Sequence, residues 1–237
     1  MRAVLFALTF CWAGFGHAQS ESHTLIRRAK PGDSYRYDVS MIFSQGPAAI
    51  EVKGIADERI LSVEDGVLTS QRKLTDIVAQ IVGQDQPLPD QESSKINIAD
   101  VAETLTRSRV TGEVLEVRKN RVRGVDYAFA MITSTIVSYE FVKPGDEWQR
   151  ILKPKGLAPI SISYRAEKME TVGSEPAMVV LIQGRQESKG NIQVQGKVTI
   201  SARHGMPLKS ELNLKGMPLG TKGELIDLAI TQTLRQP

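Results

Sequence analysis

The chain has 237 residues, 41% of them apolar and 24% charged, which is enough apolar material for a sizeable core and too much for a disordered chain. Its formal charge is only +3, which argues against a dedicated nucleic-acid-binding surface. A single cysteine excludes an internal disulfide.

Met1-Arg2 is a short positive start, and Ala3 to Phe15 is apolar apart from Thr9 and Cys11. Gly16-His17-Ala18 then places small residues three and one positions before Gln19. This layout predicts a secretory signal peptide over residues 1–18, its apolar run too short to span a bilayer. A lipoprotein cut before Cys11 fits less well, since bulky Phe10 stands where a small residue is needed. Removal of the leader takes away Cys11, leaving a mature chain of residues 19–237 without thiol chemistry. It also takes away Arg2, leaving 29 basic against 27 acidic residues. No second apolar stretch approaches membrane-spanning length, so the mature protein is expected not to span a membrane. A cysteine-free exported chain of this size points to a bacterial envelope, in the periplasm or outside the cell.

Tyr35, Tyr37, Val39, Met41 and Phe43 alternate with polar neighbours, the pattern of a half-buried strand. Gln45-Gly46-Pro47 breaks it, and Ile50, Val52, Gly54 and Ala56 continue on one face of a partner. Glu64-Asp65-Gly66 reads as a hairpin turn, followed by a third strand from Val67 to about Thr75. The polar, proline-bearing segment 84–97 is expected to be a loop. Leu105 to Val117 reads as a hairpin folded at Thr111-Gly112-Glu113. The period then changes: Val125, Phe129, Ile132, Ile136 and Tyr139 recur at steps of three and four, predicting one central helix with an apolar face. Its β-branched content gives it poor intrinsic propensity, so packing must hold it. Strand patterns return at Ile160–Tyr164, Ala177–Ile182, Ile192–Ile200, Leu208–Leu214 and Ile226–Leu234, with glycine-bearing turns between them. Short connections favour an antiparallel sheet over βαβ units.

Lys30-Pro31-Gly32-Asp33-Ser34-Tyr35 recurs as Lys143-Pro144-Gly145-Asp146-Glu147-Trp148, each time a Pro-Gly-Asp turn ahead of a strand-opening aromatic. The expected architecture is therefore mainly β (α+β). A single β-rich domain, residues 19–237, forms a curved antiparallel sheet, a half-open barrel. It is built from two related halves, about 30–142 and 143–237, with the helix between them.

Val142-Lys143-Pro144-Gly145-Asp146-Glu147-Trp148, the Val110–Leu115 hairpin and the terminal meander with Gly205-Met206-Pro207 resemble a group of uncharacterised exported bacterial β-rich proteins. That group brings no assigned activity. In architecture alone, a curved antiparallel sheet around a helix is similar to the lipoprotein-carrier (LolA-like) fold of the bacterial envelope.

Catalytic signatures are missing: no nucleophile elbow, phosphate loop or dinucleotide fingerprint is present. His23 and His204, the imidazoles of the mature chain, belong to no metal-ligand spacing and read as surface or turn residues. Asp57-Glu58 and Glu64-Asp65 read as solvated ends of a hairpin. No catalytic residue, metal site or cofactor is assigned. Tyr35, Tyr37, Phe43, Phe129, Tyr139, Phe141, Trp148 and Tyr164 are ordinary core at this spacing, or the lining of an apolar pocket. On the pocket reading, Phe129, Ile132, Ile136 and Trp148 bind the ligand, the helix face forming one wall against the sheet. The expected function is a non-enzymatic exported protein carrying an apolar ligand or lipid. The alternative is a structural or protein-interaction module with an envelope protein as partner.

Overall fold

The structure is a computed structural model describing residues 22–82, 103–118, 130, 133–134, 137, 141–154, 157–187, 190–218 and 224–235. Among the described residues there are eleven strands: β1 (Ser34–Gln45), β2 (Ala48–Glu64), β3 (Val67–Ile81), β4 (Glu103–Arg109), β5 (Val114–Arg118), β6 (Glu147–Leu152), β7 (Ile160–Val172), β8 (Glu175–Gln186), β9 (Gln193–Ser201), β10 (Pro207–Pro218) and β11 (Leu225–Leu234). They form one sheet in the order β5-β4-β3-β2-β1-β11-β10-β9-β8-β7-β6. Among the described residues every pairing is antiparallel, and no β5–β6 pairing closes the sheet. The first five strands meander outward from β1. The last six meander inward, so that β11 meets β1 along Tyr37↔Leu234 to Ser44↔Asp227. Most of the central helix expected over 125–139, Phe129, Ile132 and Ile136 included, lies outside the described residues. Within it, the Ser134 amide bonds the Ala130 carbonyl at 3.1 Å.

One face of the sheet is apolar and the other charged. In register, Tyr37, Ala56, Leu234 and then Met41, Val52, Ile230, Leu212 lie side by side on the inner face. The main core joins inner-face residues of β7 to β11 (Ile160, Ile162, Tyr164, Val180, Ile182, Val198, Leu212, Leu228) to Val114 and Val117 of β5, with Leu25, Val137 and Val142 between them. Strands at opposite edges of the sheet therefore share one core, which requires the sheet to curl upon itself. The opposite face carries an ion-pair mesh: Arg36–Asp57 at 2.7 Å, Arg235–Asp38 at 2.6 Å, and Lys197 and Lys209 on Glu211 at 3.1 and 2.6 Å.

The curl is built into the backbone. An extra β3 residue between Lys53↔Val78 and Ile55↔Thr75 leaves Asp76 at φ 50°, and such bulges sharpen twist. At Gly196 on the inner face of β9, an added Cβ would stand 2.1 Å from the carbonyl oxygen of Glu211, so only glycine allows β9 and β10 to approach this closely.

The Pro-Gly-Asp repeat holds in three dimensions. Asp33 and Asp146 close their turns with amide bonds of 3.1 Å to the carbonyls of Lys30 and Lys143, and their carboxylates accept back from those lysine amides at 2.7 and 2.9 Å. Gly32 (φ 92°) and Gly145 (φ 96°) then donate to Ile60 and Ala166, both at 2.8 Å. The repeat extends one step further, because a bulge follows each anchor directly, with Leu61 and Glu167 as the extra residues.

Candidate functional site

The chain before β1 forms a strap across one end of the sheet. His23 exchanges backbone bonds with Val142 at 2.8 and 2.7 Å, Arg27 donates to Val110 at 2.8 Å, and Arg28 donates to His204 at 2.9 Å. The strap thus ties the β4–β5 turn, the lead into β6 and the β9–β10 turn together. Leu25 is fully buried in the main core. Gly205 meets the strap so closely that a Cβ there would lie 2.0 Å from the Ile26 carbonyl oxygen.

A polar cluster sits on the inner face beside the strap. Arg27 grips Glu58 with two bonds of 3.0 and 2.9 Å and lies 5.2 Å from the centroid of the Tyr35 ring. Glu58 stands opposite Tyr35 on β1 and Arg72 on β3. The Arg72 guanidinium crosses the Tyr37 ring at 5.9 Å and reaches the Gln232 side-chain oxygen on β11 at 2.5 Å. Burial opposes charge on Glu58, but the Arg27 charge and its hydrogen bonds outweigh that cost and hold the carboxyl below its ordinary range. Burial pushes the Tyr35 hydroxyl up to about 12 and raises Tyr37 further, so both remain neutral donors. Asp57-Glu58, read as solvated in sequence, is split: Asp57 joins the outer mesh and Glu58 turns inward.

Away from the strap the inner face becomes purely apolar. Met41 and Phe43 of β1, Ile50 of β2 and Ile81 of β3 are half-buried, beside buried Val52, Leu228 and Ile230. This is a surface suited to apolar contact, with a charged cluster at one end. Trp148, expected to bind ligand, lies half-buried on β6 and stacks on Tyr164 of β7, with centroids 5.4 Å apart and planes at 9°. It packs against the main core, whereas Phe129, Ile132 and Ile136 lie outside the described residues. An open depression of about 580 Å³ is lined by Arg36, Asp57, Gln71, Lys73 and Glu103 of the charged face together with Tyr35 and Glu58. Arg36 pairs with Asp57 and Gln71 with Glu103 there. Among the described residues no group of three or more His, Cys, Asp or Glu could hold a metal ion, and no helix is long and apolar enough to cross a membrane.

Sequence reasoning missed the strap and the inner polar cluster. Leu25-Ile26 is too short a signal to announce an element, and Arg27 and Glu58 are 31 residues apart.

No protein-family model matches the chain, and no curated protein matches it in sequence. Among solved structures it is similar to lipovitellin, in a structure describing lipid–protein interactions, with a TM-score of 0.53 and 10% identity over 87% of this chain. The chain spans 25% of that lipovitellin chain's length. An exported protein with a YmcC-like fold from Bacteroides fragilis aligns over 91% of this chain and 100% of its own at 11% identity and a TM-score of 0.32. A LolA superfamily protein from Nitrosomonas europaea aligns over 87% of this chain and 88% of its own at 13% identity and a TM-score of 0.23. The lipovitellin likeness establishes a shared sheet architecture.

Proposed function

We propose that this protein is an exported, non-enzymatic holder or carrier of an apolar ligand, a lipid or similar amphiphile, bound along the inner face of its open sheet. One observation carries the reading: a single antiparallel sheet curls around an apolar face, which half-buried Met41 and Phe43, at the margin of the main core, and half-buried Ile50 and Ile81 extend across β1 to β3. Curled sheets of this kind enclose apolar molecules when the inner face is not wholly filled by the chain's own side chains. The architectural likeness to lipovitellin, whose structure describes lipid contacts, supports it. The leader read over residues 1–18 supports export, and the absence of catalytic motifs from the sequence supports a binding role over chemistry.

Native mass spectrometry of the mature protein, purified gently from its own host, tests the reading. Extra mass that disappears on organic extraction is the expected result, and its identity defines the ligand. A bare chain that also fails to bind an uncharged apolar dye would overturn it, and would favour the interaction-module alternative.

A further inference from the structure

We infer that Arg72 is the head-group residue of the apolar site, so that the ligand is a single-chain amphiphile with a carboxylate head, a long-chain fatty acid. The inference rests on the apolar-ligand reading and deepens it. Arg72 alternates along β3 with Gln71 and Lys73, which line the outer depression, and its own side chain crosses the inner face to Gln232 and the Tyr37 ring. A guanidinium has five N–H donors in a planar fork, and one of Arg72's is taken by the neutral Gln232 oxygen. Among the described residues the buried side-chain nitrogen or oxygen without a partner is Arg27 Nε, so Arg72's other donors are not sealed in protein.

The local charge points the same way. Glu58 is the carboxylate on the inner positions of β1 to β4, and both its oxygens are engaged by Arg27. Tyr35 and Tyr37 are neutral, and the Asp33 carboxylate, at its exposed turn, is taken up by the Lys30 amide at 2.7 Å and the Tyr35 hydroxyl at 3.2 Å. Both oxygens of Glu58 go to Arg27 and the Asp33 carboxylate goes to its turn and to Tyr35, so among the described residues Arg72 stands beside an apolar wall with no carboxylate bonded to it. A half-buried guanidinium with no carboxylate bonded to it matches one carboxylate, whose two oxygens fit its fork. From Arg72 the inner row Val39, Met41 and Phe43 on β1 runs away from the strap and offers an apolar track for the chain of such a ligand.

The test is competition for a bound uncharged dye, N-phenylnaphthylamine, on the full delipidated protein, comparing palmitate with hexadecanol. Palmitate is expected to displace the dye at a concentration about tenfold lower, the difference one charge-assisted bidentate contact makes. Arg72→Gln should erase that advantage and leave hexadecanol unchanged, while Arg72→Lys should retain part of it. Equal potency of the two competitors on the unaltered protein, a result that needs no variant to fold, would overturn the assignment. So would an equal loss for both in Arg72→Gln, which marks a structural arginine, or a lysophosphatidate stronger than palmitate, which marks a phosphate site. If dye and hexadecanol both fail to bind, the apolar-ligand reading itself falls, and this inference with it.

Discussion

The strap end turns on two residues, Arg27 and Glu58, and the energetics of their pair are asymmetric. Both side chains are largely withdrawn from water, at 17% and 14% exposure, so removing one partner strands the other charge. Glu58→Ala should cost about 3 kcal/mol of stability in urea unfolding. Replacing both residues by methionine should cost much less, since no buried charge then remains. The pH dependence gives a sharper test. In the native protein the Glu58 carboxyl is held low, so its contribution is complete above the ordinary carboxyl range and is lost as pH falls through the folded value. In Arg27→Met, burial, the largest influence, is opposed only by the Arg72 charge and a Ser70 hydrogen bond, and that value rises. The contribution is then present at low pH and lost as pH rises, so the variant's deficit against the native protein should shrink between pH 7 and pH 4. A deficit constant across that range would show that the pair is not coupled. None of this was legible in the sequence, where Asp57-Glu58 is an ordinary acidic doublet; register alone sends one outward and the other inward.

Strands were the most legible elements, because alternation states directly which side chains share a face. β1 and β7 to β11 fall where the apolar periods place them, and the near-continuous run at Ala177–Ile182 is a strand buried on both faces. The lengths of β2 and β3 were not legible: β3 runs on to Ile81 past the expected Thr75, because the bulge at Asp76 breaks the period without ending the strand. The twin turns yield a prediction at this scale. Gly32 and Gly145 have φ values of 92° and 96° with open space around the missing Cβ, so an alanine there is opposed by backbone strain alone. Each substitution should cost about 1–2 kcal/mol, and the two should agree closely if the turns are equivalent. Gly196→Ala is different in kind. Its Cβ would meet the Glu211 carbonyl and the Leu212 Cα, backbone that cannot step aside, so its cost should exceed either turn substitution and should loosen the β9–β10 pairing in hydrogen exchange.

For the molecule as a whole, the sequence indicated a curved antiparallel sheet but not that strands near its two edges share one core. Curl is set by bulges, by glycines at close crossings and by a strap whose own sequence carries no period. The candidate site was legible only as a class, an apolar inner face; the polar end that gives it direction depends on contacts as distant as Arg72 with Gln232, 160 residues apart. If the strap closes that end, weakening it should act locally first. Leu25 is fully buried among Val114, Val142 and the inner face, so Leu25→Ala should cost about 2–5 kcal/mol, according to how far the site collapses. The amides that bind strap to sheet, Arg27 to Val110, Arg28 to His204 and Val142 to His23, should then exchange faster by a larger factor than those joining β1 to β11. Uniform acceleration across both sets would mean that strap and sheet unfold as one unit. In that case the closed end is fixed in place, and any ligand must enter and leave along the Met41–Phe43 side of the inner face.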